Sequence, residues 1–140
     1  MIVVVIIGIL AAIAIPQYQN YVARAQVAEA LSLTGGTKIA LAEYFNTNGV
    51  FPDDNTKIGL KADGTDISGK YVTSVLVTAG AGDLAKTTGI LTALFAAGAH
   101  KSIAGGTMTL TGTAKGGSIS WACASTGTPV ITTYLPSTCQ

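Results

Sequence analysis

The chain opens "MIVVVIIGILAAIAIPQYQNYVARAQ", and its first fifteen residues, Met1 to Ile15, carry no charge. Such a run must find an apolar surrounding, yet a bilayer span needs about 20 apolar residues, and Pro16 arrives early. The run lacks the basic flank and small-residue cleavage site of a secretory signal. Beyond Pro16 the pattern continues as helix, with Tyr18, Tyr21, Val22, Ala25 and Ala28 along one side. The reading is therefore a greasy helix fused to an amphipathic one. It is weakened at Gly8, the poorest helix former after proline. Pro16 weakens it again, because it has no N–H and its ring crowds the Ala12 carbonyl.

The spacing of Tyr18, Val22, Ala25, Leu31, Ile39, Ala42 and Phe45 predicts one long helix from Met1 to about Phe45. A bend or brief break is expected at Gly35-Gly36, at roughly 1 kcal/mol per glycine. "NTNGVFPDDN" ends the helix. Residues 46–70 then read as a long polar surface connection, of a length that is commonly functional. Four strand-like runs follow: Tyr71 to Ala79, Gly89 to Ala97, Thr107 to Ala114 and Ser118 to Ser125. The third places Met108, Leu110 and Ala114 on one face, and the fourth groups Ile119, Trp121 and Cys123. Glycine-bearing turns between them indicate an antiparallel meander, with "AKGG" short enough for a hairpin. The fold class is α+β: a long N-terminal helix packed on a four-stranded antiparallel sheet. Residues 1–24 form its apolar half and residues 25–140 a globular head, with the sheet at 71–125.

Only 11% of the 140 residues are charged, against a usual share of about 25%. With a formal net charge of +1, the chain carries no electrostatic footprint for nucleic acid. The lysines are spread out among acids. Catalytic signatures are absent too: "GGTK" lacks the spacing of a phosphate loop, and there is no G-x-S-x-G elbow. His100, the single histidine, stands in a glycine-rich turn without partners. "DDNTKIGLKADGTD" resembles a calcium loop only in its oxygens, lacking the required order and the distal Glu. Tyr18, Tyr21, Tyr44 and Phe45 are too unevenly spaced for an electron relay and read as packing residues. No enzyme, cofactor or metal is expected.

Fifteen residues, Ala124 to Thr138, separate the only cysteines, Cys123 and Cys139. A buried free thiol is the plain alternative, and a metal site would need further ligands nearby. A Cys123–Cys139 disulfide is expected: closing a loop of that size contributes about 3 kcal/mol, and it would place the C-terminal domain in an oxidising space.

These residues together resemble a bacterial type IV pilin. The match is specific over Met1 to about Leu31, and "SWACAS…TTYLPSTCQ" is similar to the disulfide-bounded loop that closes major pilins. Between the two ends the likeness lies in architecture. Members of that family begin a few residues earlier, with an N-methylated phenylalanine and a nearby glutamate. Met1 falls just after that motif, so a trimmed N-terminus is expected. The resemblance implies a filament subunit that waits in the bacterial inner membrane and is then stacked by a partner motor and platform proteins. The filament core would be packed by Met1, Ile2, Val5, Ile6, Ile9, Leu10, Ile13, Tyr18 and Tyr21. It also implies that the Gly8–Pro16 segment loses helix in the filament; a simple proline kink is the alternative. Implied outputs are adhesion, twitching motility, DNA uptake or phage attachment, with host surfaces or phage as partners. A type II secretion pseudopilin or minor pilin is one alternative, and a single-span membrane-anchored binding module is another.

Overall fold

The computed structural model describes residues 1–81, 84, 86–129 and 131–137, and all side chains among them except those of Ile15 and Pro16. Helix α1 runs unbroken over Ile2–Asn48. Its C-terminus is set by local chemistry. Gly49 takes the left-handed conformation at φ 72°, and its N–H donates to the Phe45 carbonyl at 2.8 Å. The side chains of Thr47 and Asn48 donate back to the carbonyls of Glu43 and Tyr44, at 3.0 and 2.9 Å. The helix thus outlasts the expected end at Phe45 by three residues.

Of the bend or brief break expected at Gly35-Gly36, the break does not occur. Both glycines are helical, flanked by Thr34, Thr37 and Leu41, all buried against the head. Anchors on both sides offset the roughly 1 kcal/mol that each glycine costs. The buried stripe of α1 is Ala23, Val27, Ala30, Thr34, Thr37 and Leu41. This corrects the face inferred from the sequence, since Ala25 is exposed and Ile39 is 64% exposed. Alanines recur on several faces of this helix, so periodicity alone could not fix its rotation.

Four strands follow: β1 (Val72–Ala79), β2 (Thr88–Phe95), β3 (Thr107–Lys115) and β4 (Ser118–Thr126). They pair antiparallel in the order β1-β2-β3-β4. Gly116 and Gly117, both at positive φ (60° and 82°), form the two-residue turn joining β3 to β4. Two successive positive-φ residues match the right-handed twist of the flanking strands. The sheet face toward α1 supplies Val75, Val77, Leu91, Ala93, Phe95, Met108 and Leu110 to a single core. Ile131 and Leu135, beside a 3-10 turn at Thr132–Tyr134, join that core from the C-terminal segment.

The connection at 46–70 departs from expectation in one respect. It is not merely a surface loop, because Phe51 and Asn55 are buried in it. Phe51 stacks on Phe45, with ring centroids 4.6 Å apart. Asn55 opens a 3-10 turn (Asn55–Ile58) capped by the Asp54 carboxylate. Its amide nitrogen donates to the Val75 carbonyl at 2.9 Å, and its amide oxygen accepts from Val77 N–H at 2.6 Å. Nearby, Gly69 N–H donates to the Val72 carbonyl and the Gly64 carbonyl accepts from Val75 N–H. The open edge of β1 is therefore capped by the connection, which removes a template for unwanted strand pairing.

Candidate assembly surface

The first half of α1 projects away from the core. All nine side chains expected to pack a filament are exposed, from Ile6 at 51% to Met1 at 104%. This helix is long and apolar enough to cross a membrane, and its apolar window is not buried anywhere in the chain. A rod that is bare on every face cannot remain in water at that length. Gly8 and Pro16 lie within it, and the backbone of the isolated chain stays helical through both.

At the junction of rod and head, Tyr18 and Tyr21 (71% and 75% exposed) join Val22, Glu29 and Tyr71 around an open recess of about 280 Å³. One Glu29 oxygen accepts from Tyr71 N–H at 3.3 Å. Arg24 and Glu29 are the only charged side chains between Met1 and Lys38. Composition and motifs gave no reason to single out Glu29; what marks it is that rarity of charge. Buried Gln26 ties the same region to the β2–β3 connection, its amide oxygen accepting from His100 N–H at 2.7 Å.

The remaining candidates resolve into structural roles. The His100 ring accepts from Ser102 N–H through Nδ1 at 3.3 Å, inside its own turn. Among the described residues, no group of three His, Cys, Asp or Glu could hold a metal. Three of the four aspartates of the calcium-like stretch, Asp54, Asp63 and Asp66, are committed to their own loop. Thr56, through its hydroxyl and its N–H, holds the Asp54 carboxyl below the usual carboxylate range. The Thr65 N–H and hydroxyl do the same for Asp63, and the Lys61 N–H and ammonium for Asp66. Lys61 and Asp66 also form the one ion pair among the described residues, at 3.2 Å. On β4, Trp121 lies over Gly112 of β3, where a Cβ would come within 2.8 Å of the indole. The Lys38 ammonium sits 5.0 Å from the Trp121 ring centroid. No described cysteine is a free thiol. Cys123 lies on β4, while Cys139 is outside the described residues.

A closed head on a bare apolar rod defines a subunit built to be packed against others. Comparison with known proteins gives the family. The profile for pilins, described as "Pilin (bacterial filament)", matches residues 23–140. The chain is 48% identical over 141 residues to the fimbrial protein EcpC of Eikenella corrodens, covering 100% of this chain and 85% of that one. It is 39% identical over 160 residues to the type IV major pilin protein PilE1 of Neisseria gonorrhoeae, covering 100% and 82%. It is 38% identical over 161 residues to a fimbrial protein of Neisseria meningitidis, covering 100% and 89%. The chain belongs to the type IV pilin family. It is a structural subunit of a pilus filament and not an enzyme, and neither the pseudopilin nor the anchored binding module is favoured.

Proposed function

We propose that residues 1–24 of this chain are the assembly arm, held in the bacterial inner membrane before polymerisation and in the filament core afterwards. The single observation that carries the reading is the arm's exposure on every face beside a head whose own core is complete. The head's core begins slightly before residue 25, at fully buried Ala23.

Moving the arm from lipid to a bundle of like arms exchanges one apolar surrounding for another. Hydrophobic burial therefore supplies little net drive for extraction, and packing between arms supplies the remainder. The work comes from a partner motor acting through platform proteins. Within the arm, Gly8 and Pro16 bound a segment whose helix depends on its surroundings. In lipid every backbone group must be paired internally, which favours helix; packed among neighbours, the segment opens. Opening six residues lengthens the subunit by roughly 10 Å. Cys123 pairs with Cys139 and closes the C-terminal loop on the filament's outer surface. Adhesion, motility, DNA uptake and phage attachment are the outputs such a surface supports.

The test is electron microscopy of material sheared from cells expressing the full chain. Filaments composed of this chain, with arms inside and heads outside, are expected. A chain that stays monomeric in the membrane fraction under conditions of pilus expression refutes the reading. In a filament map, unbroken helix from Met1 through Tyr21 would remove the opening segment but leave the subunit assignment standing.

A further inference from the structure

We propose that Glu29 and the tyrosines beside it form a socket for Arg24 of a second copy of this chain, so that one ion pair repeats from copy to copy. The proposal rests on the filament reading above.

Between Met1 and Lys38 the helix carries one cationic side chain, Arg24, and one anionic one, Glu29. Neither has an ionic partner among the described residues, where the sole ion pair is Lys61–Asp66. A charge carried into a packed apolar bundle needs a partner, because its desolvation costs several kcal/mol. Their own helix cannot pair them. Five residues rotate the helix by about 140° and advance it by about 7.5 Å, which puts the two side chains on different faces. A second copy of the chain supplies the partner of each.

The recess has the chemistry for a guanidinium. Tyr18, Tyr21 and Tyr71 offer aromatic faces, on which Arg stacks and is attracted by the ring quadrupole. One Glu29 oxygen is held by Tyr71 N–H, which fixes the carboxylate and leaves the other oxygen to accept from the incoming side chain. Lys70, beside Tyr71 in the chain, does not fill the socket: its ammonium sits over the Tyr71 ring, 5.2 Å from the centroid, and makes no ion pair with Glu29. The socket is also continuous with the exposed arm, so copies that pack their arms together carry Arg24 to this level.

The placement has a geometric consequence. Donor and socket on different faces of one helix make a head-to-tail contact, which propagates as an open polymer instead of closing as a dimer. Neighbouring helices that pair this way are staggered along their axes by about 7.5 Å, before side-chain reach is added.

Charge reversal in the full chain tests this. Arg24→Glu and Glu29→Arg are each expected to lower filament yield by about a hundredfold, since like charges then meet at every contact. The double reversal is expected to restore it. Glu29→Gln keeps an acceptor for Tyr71 N–H, so it should assemble poorly while its head melts like the parent. A second measurement reads proximity directly: Arg24→Lys filaments treated with a zero-length carbodiimide should yield an intermolecular amide between residues 24 and 29, identified by mass spectrometry. Single reversals that assemble at parental yield overturn the proposal. So does an Arg24→Lys filament whose coupled residue is any acid other than Glu29, or none, whatever the double reversal does. If the unmodified chain forms no filaments, the filament reading fails instead, and the two failures are distinguishable.

Discussion

Asn55→Ala is the sharpest test of how the head is held together. The side chain is 99% removed from solvent and satisfies two backbone groups of β1, the Val75 carbonyl at 2.9 Å and the Val77 N–H at 2.6 Å. Both strand residues are themselves buried, at 0% and 2% exposure. Truncation orphans an acceptor and a donor together, and each unsatisfied buried group costs about 1–3 kcal/mol. β1 is an edge strand, so water can enter once the amide is gone and recover part of that loss. The expected destabilisation is therefore about 2–4 kcal/mol, or roughly 10 °C in Tm for a domain of this size. The assay is urea unfolding of a head fragment beginning at Tyr21, which keeps the buried Ala23, with hydrogen exchange read at the Val77 amide. Asn55→Asp should be at least as damaging, because a carboxylate would then face the Val75 carbonyl. A loss below about 0.5 kcal/mol, the scale of an ordinary surface substitution, with Val77 exchange unchanged, would falsify the clamp.

Three further outcomes are expected. Gly112→Val should push Trp121 off β3, shift its fluorescence to the red and cost about 1–3 kcal/mol through overpacking; unchanged emission would refute the stacking. Alkylation of the native chain should label neither cysteine until a reductant is added, and reduction should cost about 3 kcal/mol of stability; two thiols labelled in the unreduced protein would remove the Cys123–Cys139 bond. The lowered pKa values of Asp54, Asp63 and Asp66 mean that their contribution is full above the ordinary carboxylate value of 3.8 and is lost as pH falls through the lower folded values. Amide resonances of Thr56, Lys61 and Thr65 should thus move only below pH 3.8 while the sheet signals stay native; movement near neutrality would contradict the assignment.

The features legible in the sequence were those written as strong local patterns. Alternation marks β3 and β4 to within a residue, and "AKGG" is short enough for a hairpin. The apolar run was unmistakable because nothing in it is polar. What escaped were features that depend on distant partners. Asn55 looks like one more polar residue in a turn until β1 is brought alongside it, 20 and 22 positions later in the chain. Gly35-Gly36 reads as a break when only propensity is weighed, and packing on both sides overrides that local cost. The rotation of α1 is hidden from periodicity for a third reason. Small residues that bury well also tolerate exposure, so alanine marks no face by itself.

The way α1 lies on the sheet has a mechanical meaning. A pilus carries load along its length, and a pull on the arm enters each head through the one helix that runs on from it. Ala23, Val27, Ala30, Thr34, Thr37 and Leu41 form a single line of anchors along that helix. Drawn lengthwise, they share the force and must slip together, whereas a pull from the side would peel them off in turn. Shear loading of this kind makes the head the stiff link in the chain of subunits. If the segment between Gly8 and Pro16 opens as proposed, stretch falls to it, ahead of the first anchor.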